Sequence, residues 1–115
     1  MTRVQDIIKK LTNDLEGVFG LEIDKSNILD SILEETPQEI SRITSEFRQS
    51  KVDTVVTTEI DFLLGYLISF IYHKFLLNCS LSGDRNTNKE LSKFLSSLVL
   101  HAAILKELII AISGK

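Results

Sequence analysis

The chain has 115 residues, 43% of them hydrophobic and 25% charged, with a formal net charge of −3. That composition excludes a disordered chain and is enough for one domain with its own core, without a metal or disulfide staple. The mild acidic excess, with no cationic run longer than Lys9-Lys10, repels phosphate, so neither nucleic acid nor an anionic membrane is expected as a partner.

The single cysteine, Cys79, cannot form an intramolecular disulfide, and no Cys/His spacing resembles a zinc site. A lone thiol fits a reducing compartment. The amphipathic start, Met1 to Leu15, lacks the continuous apolar core of a secretory signal. The longest apolar run, Phe62 to Tyr72, is short against the roughly 20 residues that cross a bilayer. A cytoplasmic protein is expected, and the abundance of Ile, Lys and Glu suggests a prokaryotic source.

Breakers are scarce, with one Pro and five Gly, which favours long helices. A first helix is expected over about Arg3 to Glu16, capped by Thr2, with Val4, Ile7, Ile8, Leu11 and Leu15 as its stripe. Val18 to Ser26 alternates apolar and polar residues but has no strand to pair with, so it reads as an extended loop tucked on the core. A short second helix, about Asn27 to Glu35, buries Ile28, Leu29, Ile32 and Leu33. Thr36-Pro37-Gln38-Glu39 has the form of a helix start, with Thr36 as cap, Pro37 at the first position and Glu39 completing a capping box. The third helix then runs to about Ser50 on a thin stripe of Ile40, Ile43 and Phe47, which places it on the outside of the bundle.

A break is expected near Lys51 to Thr54, with Asp53 or Thr54 as cap. The fourth helix extends to about Ser80 and is apolar almost all round, as a central helix would be. Ser82-Gly83-Asp84-Arg85-Asn86 is a turn, and Thr87 to Glu90 is a second capping-box pattern. The fifth helix carries Leu91, Phe94, Leu95, Leu98, Ala102, Leu105, Leu108, Ile109 and Ile112 on one face, with Gly114 past its end. The expected fold is all-α: a single compact bundle of about five helices, its last two forming a long antiparallel hairpin.

Function has few footholds. The reverse face of the fifth helix begins polar, with Ser92, Lys93, Ser96 and Ser97, and turns apolar at Leu100, Ala103, Ile104, Ile110 and Ala111, with Glu107 as its only charge. A terminal helix with two apolar sides exposes one of them unless the fold wraps it, and an exposed patch marks an interface. The expected role is therefore non-enzymatic: a protein-interaction or oligomerisation module, most simply a homodimer about a two-fold axis.

A second candidate is the small and polar strip Asp61, Gly65, Ser69, Tyr72 and His73 on the fourth helix, with Arg85 nearby. Close approach of another helix at Gly65 and Ser69 explains the strip structurally; a small-molecule or catalytic site explains it functionally. An acidic adaptor or antitoxin-like partner that docks its first helix elsewhere is a further alternative. No cofactor or metal is expected. His73 and His101 lack Glu-x-x-His or His-x-x-x-His partners, Glu59 and Asp61 point apart on a helix, and the glycines lack the Lys-Ser/Thr of a phosphate loop. Arg42 and Arg48 on the third helix are offset by Glu39 and Glu46, which argues against a DNA-reading helix.

Overall fold

A computed structural model describes residues 3–19, 23–50, 58–81, 83 and 88–114. Among them the chain forms five helices and no strand: α1 (Arg3–Phe19), α2 (Ile23–Gln49), α3 (Glu59–Leu81), α4 (Asn88–Leu100) and α5 (Ala102–Ser113). The all-α class follows from the sequence; the boundaries differ from the sequence-based expectation at four places, each with a physical cause. The expected cap at Thr2, the 51–54 break and the Thr87 capping box fall outside the described residues.

α1 runs past its expected end to Phe19, and α2 begins at Ile23, so the expected extended segment narrows to residues 20–22, outside the described set. Ile7, Leu11 and Leu15 repeat every four residues and are buried, with Val4 and Ile8 half-buried beside them. That spacing puts all five on one side of a helix.

Pro37 does not start a helix. It lies inside α2, which runs unbroken from Ile23 to Gln49. Thr36, expected as a cap, is fully buried and donates its hydroxyl hydrogen to the Ile32 carbonyl at 2.9 Å, the back-bond of a Thr within a helix. Glu39, expected in a capping box, instead reaches Arg42 and Tyr66. Burial of Leu29, Ile32, Leu33, Ile40 and Phe47 on both sides of the proline holds the two halves as one element, overriding the local stop signal. The second half of α2 is not a solvated cover either, because Ile40, Thr44 and Phe47 are buried and the helix packs most extensively along α3.

α3 is not the buried centre. Its buried residues are Leu63, Leu67, Ile71, Phe75 and Cys79, a strict repeat of four. Four residues turn about 400°, so the buried line advances about 40° per step and sweeps about 160° around the helix. Different neighbours cover different azimuths at each level, which is why apolar residues occur all round it. The opposite side stays open, with Leu77 53% and Leu81 76% exposed. At 23 residues α3 is also long and apolar enough, by length and composition alone, to cross a membrane.

The expected fifth helix is two. α4 ends at Leu100, α5 begins at Ala102, and their axes bend by 57°. The His101 backbone N–H is shared between the Ser97 and Leu98 carbonyls at 3.0 and 3.2 Å, while its ring Nδ1 also reaches the Ser97 carbonyl at 2.8 Å. The antiparallel hairpin is therefore shorter than expected and involves α3 and α4, with Phe94 set between Phe75 and Tyr72 at centroid distances of 4.4 and 6.3 Å. After the bend α5 turns into the middle of the bundle and packs against the other four helices, with Leu105, Leu108 and Ile109 fully buried. It ends as the sequence indicates: Gly114 takes the left-handed conformation (φ 77°) and its N–H closes on the Ile110 carbonyl at 3.1 Å.

Candidate functional site

Besides Leu77 and Leu81 on α3, this packing leaves apolar side chains exposed at the α4–α5 bend. Leu95 is 40%, Val99 55% and Leu100 81% exposed, and Ala103 on α5 is exposed beside them. The structure places the expected interface residues unevenly. Leu100, Ala103 and Glu107 are exposed; Ile104, Ile110 and Ala111 are half-buried, with Ile104 and Ala111 packed on the core. Glu107 meets Arg3 at 3.6 Å. The cause is the bend: rotating α5 inward covers most of the reverse face that a straight helix would have shown to solvent. Leu95 and Val99 were not among the expected interface residues. Their spacing with Leu91 (i, i+4, i+8) was the available signal, but on a continuous helix it reads as core.

Of the strip on α3, Asp61, Gly65, Ser69 and His73 follow one another at a spacing of four and are all exposed, and only Tyr72 leaves that line. Asp61 is exposed and pairs with Lys106 of α5 at 3.3 Å, and half-buried Tyr72 turns toward Phe94. Ser69 and His73 lie on the outer side of α3, where the Ser69 hydroxyl and carbonyl oxygens sit 3.2 and 2.9 Å from His73 Nδ1. A carbonyl only accepts, so Nδ1 carries the hydrogen and the ring is tied to its own helix. Gly65 does not admit a neighbouring helix: a Cβ there would meet nothing within 4 Å. The close-packing explanation for Gly65 and Ser69 is thus removed, since both are exposed. Arg85 lies outside the described residues.

Beside this outer strip, residues from α2 and α3 do converge. Arg42 grips Glu39 with two hydrogen bonds of 2.9 and 2.7 Å, and the Tyr66 hydroxyl donates to Glu39 at 2.5 Å. The Arg42 contact is the main reason the Glu39 carboxyl is held below its ordinary range; burial, then the bond to Glu39, pushes the Tyr66 phenol up. Two adjoining hollows of about 410 and 270 Å³ open here and share Phe70 and Lys74. The charges are already spent inside the chain, Arg42 on Glu39 and Lys74 facing Glu35 at 4.0 Å.

A larger groove, about 670 Å³, runs between α1 and α2. Val4, Ile8 and Pro37 give it apolar lining, Lys9, Thr12 and Asn13 line its α1 wall, and Asp30 and Glu34 its α2 wall. Next to Asp30, Glu16 holds its proton more tightly than an ordinary carboxyl. The first cause is its hydrogen bond with Asp30, then burial, then the Asp30 charge, against an opposing bond from Ser26. Asp30 Oδ1 is buried without a hydrogen-bond partner while both groups are ionised, and a proton on Glu16 provides a donor. No linear pattern marks this groove, because its walls lie on two helices whose register is set by packing. Among the described residues no group of three His, Cys, Asp or Glu side chains could hold a metal ion.

The chain matches no family model, and no curated protein or solved structure is significantly similar to it.

Proposed function

We propose that this chain is a non-enzymatic, cytoplasmic helical module that self-associates through the apolar surface at the α4–α5 bend. The observation that carries this reading is the exposure of three large aliphatic side chains, Leu95, Val99 and Leu100, within residues 95–100. Isolated exposed leucines are unremarkable in a monomer; a contiguous apolar patch is not. Nearby charges are satisfied within the chain, Glu107 by Arg3 and Lys106 by Asp61, so little remains to select an oppositely charged partner. A two-fold contact of this patch with itself needs no such charge, and two-fold dimers are the commonest closed assembly.

The rival readings have less support. A small-molecule site on α3 loses Tyr72 to the contact with Phe94, and its Asp61 is already paired with Lys106. An adaptor that docks α1 elsewhere would have to withdraw Ile7, Leu11 and Leu15 from the core.

Light scattering coupled to size exclusion tests the proposal. A dimer is expected, with Leu100→Lys and Ala103→Arg each yielding a folded monomer whose melting temperature, unlike that of the wild type, does not depend on protein concentration. A wild-type chain that stays monomeric at high concentration overturns it. Ile110→Asp, on the half-buried side, should cost stability whatever the assembly state.

A further inference from the structure

We propose that the groove between α1 and α2 is a binding site for an aliphatic diamine or polyamine. The site lies apart from the α4–α5 surface and does not depend on self-association. At about 670 Å³ the groove is within the size range of ligand pockets.

Its chemistry is one-sided. The α2 wall consists of Asp30, Glu34 and Pro37. Asp30 and Glu34 are four residues apart, hence on one helix face about 6 Å from each other. Neither forms an ion pair among the described residues, whereas Glu35, the next residue, faces Lys74. This wall therefore presents acceptors and no donor. Lys9 is the single cation lining the α1 side.

Such a surface selects a ligand that donates hydrogen bonds, carries positive charge and is aliphatic between its charges. Two ammonium groups separated by a few methylenes match the one-turn spacing of Asp30 and Glu34, and the methylenes lie on Val4, Ile8 and Pro37. An inorganic cation would leave that apolar lining unused, and a monoamine would satisfy only one carboxylate. Positive charge at Asp30 also takes over the role of the proton shared with Glu16, so binding should release protons near the acidic end of the pH range.

The test is a ¹⁵N-HSQC titration of the full chain with putrescine and spermidine, with butylamine and Mg²⁺ as comparators, at physiological ionic strength. Saturable shifts confined to residues 4–16 and 30–37 are expected, with the diamine binding more tightly than butylamine. Glu34→Gln, an exposed change that leaves the fold intact, should weaken putrescine binding about threefold, and Asp30→Asn with Glu34→Gln roughly tenfold. Shifts spread over every acidic residue, equal affinity for butylamine, or binding unchanged in the double variant would each overturn the assignment. So would the absence of saturable binding, because the wild-type groove is preformed in the folded chain.

Discussion

His101 donates from ring Nδ1 to the carbonyl of Ser97 at 2.8 Å, one turn back along α4. On the other side its Nε2 lies 3.8 Å from the Asp14 carboxylate of α1. One side chain thus stands between the end of α4 and the first helix at the point where the chain bends by 57° into the core. The bend hides most of one apolar face on α5 and leaves Leu100 outside.

Replacing His101 by Ala should therefore cost about 1–2 kcal/mol, the range for a part-buried hydrogen bond together with lost packing at a helix junction. Urea denaturation measures it. A loss well below this range would show that burial of Leu98 and Leu105 alone sets the bend.

Gly65 lies exposed in the middle of α3 with open space where a Cβ would stand. Gly65→Ala should raise stability by about 1 kcal/mol, because alanine loses less backbone entropy in a helix and meets no clash here. Thermal melting would show it as a higher midpoint. A lower midpoint would mean that the site receives something as close-fitting as a partner backbone.

Pro37 removes a hydrogen bond from the interior of α2. Pro37→Ala restores the N–H that the Leu33 carbonyl lacks, and a gain of about 1–3 kcal/mol is expected, the upper figure being the full cost of an interior proline. Chemical denaturation of the single variant is sufficient. Unchanged or reduced stability would indicate that the helix is curved around the proline to fit α1 and α3.

The Glu16–Asp30 pair predicts the pH dependence. Glu16 is raised in the folded state, chiefly by its bond with Asp30. The unfolded chain releases this proton at lower pH than the folded one. The favourable contribution is therefore fully present below the unfolded value of 4.5 and is lost as pH rises through the raised folded value. Glu16→Gln keeps a donor toward Asp30 without the charge. It should gain stability relative to wild type at neutral pH and show a smaller fall between acid and neutral pH. Parallel pH profiles for the two proteins would exclude the shared proton.

Periodicity alone determined that the chain is helical, and it identified much of the core: Ile7, Leu11, Leu15, Leu29, Ile32 and Leu33 follow spacings that fix a helix face before any partner is known. The Gly114 stop was also legible, since a glycine after an apolar helix has few other uses. Sequence signals misled where tertiary burial outweighed local preference. The Thr36-Pro37 start signal is worth about as much as a cap and a proline, and the apolar residues buried on both sides of it outweigh that. Nothing marked the break at His101, which has neither Gly nor Pro and arises from competition for one carbonyl. Only the tertiary structure decided which apolar faces meet each other and which meet solvent, because that depends on the azimuth at which each helix crosses its neighbours. It placed Leu100 outside and Ala111 against the core, turned Tyr72 of α3 toward Phe94 of α4, and set Asp30 of α2 beside Glu16 of α1. These relationships exist between helices, and a one-dimensional pattern holds no information about the angle between them.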